Sequence, residues 1–301
     1  MRAASSSARS RAGWICYAVC LVCALLLKPV QDGFEARRGK PEPDADLLYF
    51  SSPALVKKMA LGYDGLVSDL YWMRSIQYYG RRDEADKRPI RFKNLSRLLE
   101  ITTTLDPDLL DAYHAGSIFL AEPEPVGAGK PREAIDLLDR GIRAHPSEWR
   151  LGHDKGFIYY WFLRDYRAAA ETWLQAAKMP GSPPWMESLA AWSFSRGGSL
   201  EMAAMLWRRQ YELATRSDVK ENARNHLISI EVDMELAILR SAIAAYRQQQ
   251  GHWPPQLREL SVRHAGKFPV EDPSGVPYSY AAATGEVSIS PNTRVRYLNQ
   301  K

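Results

Sequence analysis

The side chains best suited to chemistry are six histidines, at 114, 145, 153, 226, 252 and 264, and a few clusters of acids. A metalloprotease would place two His four apart on one helix, and a zinc finger would pair His with Cys at short spacing. Neither pattern occurs: there is no HExxH, no His pair on one helix face, and no His with cysteine partners. His153 and Asp154 are adjacent, so on a helix their side chains are expected to point apart. His114 and His145 sit at ordinary positions of helical stretches, and each His reads as a structural or surface residue. Asp83, Glu84 and Asp86 read as an exposed loop. Asp106, Asp108 and Asp111 read as a helix start, where carboxylates bond free N–H groups and suit the dipole. Glu122 and Glu124 alternate with prolines, so no carboxylate pair is singled out for acid–base work. Gly127-Ala128-Gly129-Lys130-Pro131 lacks the GxxxxGK[ST] spacing of a phosphate loop, and no apolar strand precedes it. Ser193, Ser195 and Ser199 lie in no GxSxG elbow. The expectation is a protein with no catalytic residues, no metal site and no cofactor. An enzyme whose site leaves no local signature stays open as an alternative.

The elements that must position these residues begin with composition. A chain of 301 residues, 46% hydrophobic and 25% charged, can bury a sizeable core. Those proportions exclude a mainly disordered chain and a polytopic membrane protein. Lys plus Arg number 40 against 35 Asp plus Glu, and a surplus of +5 over this length does not argue for nucleic acid. Nine Trp and fifteen Tyr suggest helices packed through aromatics, or a contact surface.

Cys16, Cys20 and Cys23 all lie in the first apolar run, so no disulfide framework is expected in the remainder. Arg2, Arg9 and Arg11 precede an uncharged stretch over 12–27, which Lys28 and Pro29 end. A basic region before an apolar one reads as a signal segment. It is short against the roughly 20 residues of a spanning helix, but Lys28 can snorkel and Val30 extends the apolar edge. No small-x-small cleavage site and no lipobox stand out. The expectation is an uncleaved anchor over 1–30, in contact with the membrane through 12–28, rather than a cleaved signal peptide. A single pass of the inner (cytoplasmic) membrane with the N-terminus inside would put the soluble part on the periplasmic side. Residues 31–52, polar with two prolines, read as a linker.

Self-similarity organises the middle. Pro107, Pro146 and Pro180 end similar helical stretches, 39 and 34 residues apart, and the longer interval holds a proline-rich loop over 122–131 that reads as a five-residue insertion. Ala134, Ala169 and Ala203 are spaced 35 and 34 apart, and Leu138, Trp173 and Trp207 follow each by four. Earlier in each unit stand Ala115, Gly116 and Phe119, then Gly156, Phe157 and Tyr160, then Ala190, Ala191 and Phe194. Asp165-Tyr166 and Gly197-Gly198 supply turns, and a further unit is expected as helices over 64–80 and 93–105.

A 34-residue period with small residues at helix crossings, a bulky one four later and a closing proline resembles the tetratricopeptide repeat, over about residues 60–215. The resemblance implies an all-α solenoid of helix-turn-helix units, expected over 53–216, because one hairpin cannot bury its apolar face alone. It also implies a concave groove lined by the first helix of each unit. The positions carried across are Tyr113 and Ser117, then Asp154, Lys155, Ile158 and Trp161, then Trp185, Ser188, Trp192 and Arg196. Aromatics beside Lys and Arg would suit an extended peptide or a partner helix. Trp161, Trp185 and Trp192 could equally be core residues between stacked units.

Residues 217–250 read as a long capping helix, with Val219, Ala223, Leu227, Ile230, Met234, Ala237, Ile238 and Ile243 on its apolar face, ended by Gly251 and Pro254. Residues 251–301 form a small α+β cap, with a hairpin expected around Thr284-Gly285. Tyr246, Gly251, Trp253, Pro254, Leu257, Leu260, Asp272, Pro273, Gly275, Pro277, Tyr278 and Tyr280 resemble the C-terminal part of type II secretion pseudopilins and related pilins. Ser274 stands where that family has an aromatic, the chain stops soon after, and no prepilin signature opens it; neither a pilin nor a calcium site is expected. Together these readings point to a non-enzymatic membrane-anchored scaffold for other proteins of a cell envelope, in a type IV pilus or secretion setting. Binding of an envelope glycan is the rival.

Overall fold

The computed structural model describes residues 52–80, 92–263 and 268–298, with isolated positions 22, 28, 29 and 33; side chains are described for all but 261–263 of these. Nearly all of the anchor and of the linker, including the three cysteines, lies outside the described residues, as do the acids at 83, 84 and 86 and His264. Among the described residues no helix is long and apolar enough to cross a membrane.

The fold is mostly helical with one two-stranded sheet, and the residues from Ser52 onward form one unit. Helices α1 (Pro53–Met59), α2 (Asp64–Gly80), α3 (Leu95–Leu105), α4 (Leu110–Ala121), α5 (Pro131–Ala144) and α6 (Trp149–Ile158) follow one another. Helix α6 runs on into a π-helical turn over Tyr159–Leu163, closed by Arg164 in the left-handed region. Then come α7 (Tyr166–Ala177), α8 (Trp185–Arg196), α9 (Leu200–Leu213), the long α10 (Ser217–Gln250) and α11 (Arg258–Arg263). From α2 onward each helix packs on the next as far as α10. Alternate helices also touch: α2 with α4, α3 with α5, and α4 with α6.

Small residues make these approaches possible. A Cβ on Gly116 of α4 would stand 2.7 Å from Leu99 Cδ2 on α3. One on Gly156 of α6 would stand 2.5 Å from Trp173 Cδ1 on α7. Real Cβ atoms do not come so close: at Gly156 the rigid indole leaves room only for glycine, and at Gly116 a side chain would have to displace the end of Leu99. Ala134, Ala169 and Ala203 are fully buried, and Leu138, Trp173 and Trp207, four residues on, are buried beside them. Trp173 also donates its indole N–H to the His153 carbonyl at 2.9 Å. Helix α3 is the most enclosed helix of the first units, with Leu95, Leu98, Leu99, Ile101 and Thr102 all at zero exposure. The Thr102 and Thr103 hydroxyls donate to carbonyls one turn back, at 2.9 Å each, which lets β-branched polar residues sit inside.

Helix α10 changes its buried face along its length. Ala223 and Ile230 join the core of α7, α8 and α9. Val232, Leu236, Leu239, Ile243 and Tyr246 join a second core with Leu257, Leu260, Tyr278 and Val287. This corrects the single apolar face expected for it: Ala237 and Ile238 are exposed, because the helix serves two cores on different sides. Gly251 ends it at φ +77, the left-handed cap that glycine adopts at little cost.

The cap after α11 is organised by one carboxylate. Asp272, only 4% exposed, accepts from the Ser274 N–H at 2.8 Å, the Ser274 hydroxyl at 2.6 Å and the Val276 N–H at 3.1 Å. Its other oxygen accepts from the Thr293 hydroxyl. Burial pushes its pKa up, but these donors more than offset that and hold it below the ordinary carboxylate value. Strands β1 (Ser279–Ala281) and β2 (Glu286–Ser288) pair antiparallel, with Tyr280 opposite Val287. Tyr278 donates to Glu235 of α10 at 2.5 Å, and Tyr280 to the Pro254 carbonyl at 2.7 Å.

Candidate functional site

Every second helix from α2 to α8 contributes to one row, and aromatic or charged side chains join its members. Between α2 and α4, Tyr79 stacks on Phe119 with ring centres 3.9 Å apart. Between α4 and α6, His114 Nδ1 lies 2.5 Å from Asp154 Oδ2. Between α6 and α8, Trp185 meets the edges of Trp149 and His153 at 6.0 and 5.7 Å, and Trp192 stacks on Tyr160 at 4.7 Å.

Asp154 is the polar centre of this row. His153 Nδ1 lies 3.0 Å from its Oδ1, so each carboxylate oxygen holds one imidazole. Adjacent side chains on a helix were expected to diverge; these two meet, with the Asp154 carboxylate between the two imidazoles. Burial alone would raise the Asp154 pKa, and the two imidazole hydrogen bonds hold it below the ordinary value. The same bond to Asp154 raises the pKa of His114 against the opposing effect of burial. The result is a hydrogen-bonded His–Asp–His group beside a Trp ring. The nearby Ser117 hydroxyl donates to the His114 carbonyl at 2.8 Å, so it is not poised on either imidazole as a nucleophile.

The ten positions carried over from the repeat resemblance divide. Tyr113, Ser117 and Ile158 are corrections: each is at most 1% exposed and none faces a groove. Tyr113 and Ser117 share the side of α4 turned to α5, where a Cβ on Gly141 would stand 2.8 Å from the Tyr113 ring. Asp154, Trp185, Trp192 and Arg196 come together along the row. Lys155 turns instead to Asp139 of α5, with Nζ 2.6 Å from its carboxylate. Ser188 accepts from Gln210 of α9 at 2.6 Å. Trp161 is 63% exposed and, among the described residues, stacks within its own segment, on Phe157 and Tyr160.

Arg196 ends the row. Its guanidinium lies over the rings of Tyr166 and Trp192, at 5.9 and 6.0 Å. With Tyr166 it also lines a cavity of about 670 Å³ shared by Ser195, Asp233, Arg240, Ser288 and Tyr297. Arg150 lies over Trp149 at 5.0 Å, so an arginine crosses an aromatic plane at both ends of the α6–α8 stretch.

Sequence reasoning missed His114, His153 and Trp149. The signal for the first was present, since His114 and Asp154 each lie two residues before the glycine at which their helix crosses its neighbour. Among the described residues no group of three or more His, Cys, Asp or Glu is placed to hold a metal ion. No protein-family model matches the chain, and no curated protein or solved structure matches it either.

Proposed function

We propose that this chain is a non-enzymatic, membrane-anchored scaffold of tetratricopeptide-like helix pairs. Its task is protein–protein contact in a cell-envelope assembly, and a pilus or secretion machine is the setting that its pilin-like tail favours. Residues 12–28 anchor it in the inner membrane, and the helical part stands on the periplasmic side.

The observation that carries the contact role is the half-exposed line of Trp149, Trp185 and Trp192 with Arg150 and Arg196 across it. Tryptophan and arginine are the side chains that most often dominate binding energy, since they offer large rigid surfaces and multiple donors. The polar groups between them are already bonded to one another through Asp154, so the face is set before a partner arrives. The succession of neighbour and next-neighbour helix contacts supports the repeat reading.

A photo-crosslinking side chain at Trp185 or Trp192, in the full chain in its own membranes, tests this. Both positions are expected to yield the same discrete protein adduct, with none from the exposed Glu171 on α7, and Arg196→Glu to weaken it severalfold. Equal yield from Glu171, or no protein adduct at all, overturns the reading; a glycan adduct in its place supports the polymer-binding rival. Lys155→Glu is unsuited to this purpose, because it would set a carboxylate against Asp139.

A further inference from the structure

The strongest unexplained feature is α2, which buries two serines beside Tyr71 and Tyr78 and turns large apolar side chains outward. Ser68 and Ser75 are fully buried, while Leu66, Leu70 and Met73 at helical spacing stand 62%, 49% and 49% exposed. The stripe continues into the turn from α1, where Met59, Leu61 and Tyr63 are 51%, 83% and 70% exposed. Elsewhere among the described residues exposed large apolar side chains are spread thinly. An outermost helix of a repeat array needs a polar outer face, so this surface is built to be covered. Leu61 also sits at φ +50, a left-handed conformation that costs a leucine energy and here points its side chain outward.

We propose that the α1–α2 turn is a membrane-surface contact, in which Met59, Leu61 and Tyr63 enter the interface of an anionic bilayer. Two further observations select lipid. Lys57 and Lys58 occupy the last turn of α1 next to these side chains, at the level where anionic headgroups would lie. Lys57 Nζ also reaches the Thr104 carbonyl at 3.4 Å, and Lys58 is exposed beside Met59. The second observation is the tether: 23 residues, 29–51, separate the apolar run from the described fold. Whatever its conformation, a stretch of that length reaches at most roughly 80 Å, so an anchor at 12–28 holds the turn within that distance of the bilayer. The proposal rests on that anchor. Asp64, half-buried at the first position of α2, and Asp69, exposed one turn further on, limit insertion to the turn itself.

The test uses the full chain with Cys16, Cys20 and Cys23 replaced by alanine and one new cysteine, Leu61→Cys or, as control, Val126→Cys. Each is labelled with an environment-sensitive fluorophore and reconstituted into phosphatidylethanolamine–phosphatidylglycerol vesicles, some carrying shallow spin-labelled lipid. Flotation reports the anchor, and the label reports the turn. The expected result is a floating chain whose label at 61 is blue-shifted and quenched severalfold, with the label at 126 as in water. Lys57→Glu with Lys58→Glu should reverse most of the shift while flotation persists. A floating chain with a water-exposed label at 61 overturns the turn proposal alone. So does a shielded label that the spin-labelled lipid does not quench, since a protein or a second copy then covers the face. A chain that does not float overturns the anchor and the proposal with it.

Discussion

His226 lies flat on Trp207, with ring centres 4.0 Å apart and planes 6° from parallel, and its Nδ1 has no hydrogen-bond partner among the described residues. Burial pushes its pKa down to about 4, from an ordinary 6.5. The unfolded chain therefore takes up a proton first as pH falls, and the stability present above about pH 6.5 drains as the pH approaches 4. His114 has the opposite sign. Its pKa is raised by Asp154, so its contribution is present below the unfolded value and is lost as pH rises through the folded one. Thermal unfolding at about pH 7 and about pH 5 should separate the two. His226→Phe, which keeps the stack on Trp207, should lose less stability on acidification than the parent chain. His114→Ala should be more damaging at the lower pH than at the higher. Equal pH dependence in all three chains would remove both assignments.

Elements are spaced by what their crossings admit. Helix α6 lies on α7 at a glycine, with the Trp173 indole filling the space that a side chain would need. Gly156→Ala should gain about 1 kcal/mol of helix propensity and lose more than that to overpacking against the Trp173 indole, for a net destabilisation of about 1–2 kcal/mol. The same substitution at Gly80, where among the described residues nothing lies within 4 Å of a Cβ, should be neutral or mildly stabilising. Denaturant midpoints of the two variants decide the matter. Equal effects would mean that the α6–α7 approach is looser than these distances imply.

At the scale of the whole molecule, α10 joins two cores, and this couples the cap to the helical array. Asp272 holds the cap turn through two N–H groups and two hydroxyls. Asp272→Ala would strand these donors and should cost about 2 kcal/mol or more. Because α10 is shared, the loss should appear as one lowered transition, seen alike by helical circular dichroism and by tryptophan fluorescence. Two separated transitions, with only the smaller one shifted, would show that cap and array fold independently.

Much of this architecture is written locally. The recurrence of Ala134, Ala169 and Ala203 with a bulky residue four positions on fixed which faces are buried, because three- and four-residue spacing defines one side of a helix wherever that helix lies. The helix expected over 64–80 spans those residues, and the cap turn formed where Asp-Pro-x-Gly-x-Pro-Tyr stands, because short-range hydrogen bonds of Asp272 specify it. What the tertiary structure decided is which alternate helices touch. Asp154 and His114 are forty positions apart, so no local spacing joins them, and only the approach of α4 to α6 makes them a pair. Tyr113 and Ser117 moved from groove to core for the same reason: a one-residue step on a helix turns a side chain by about 100°, and only the neighbouring helix determines which side of that step is inside.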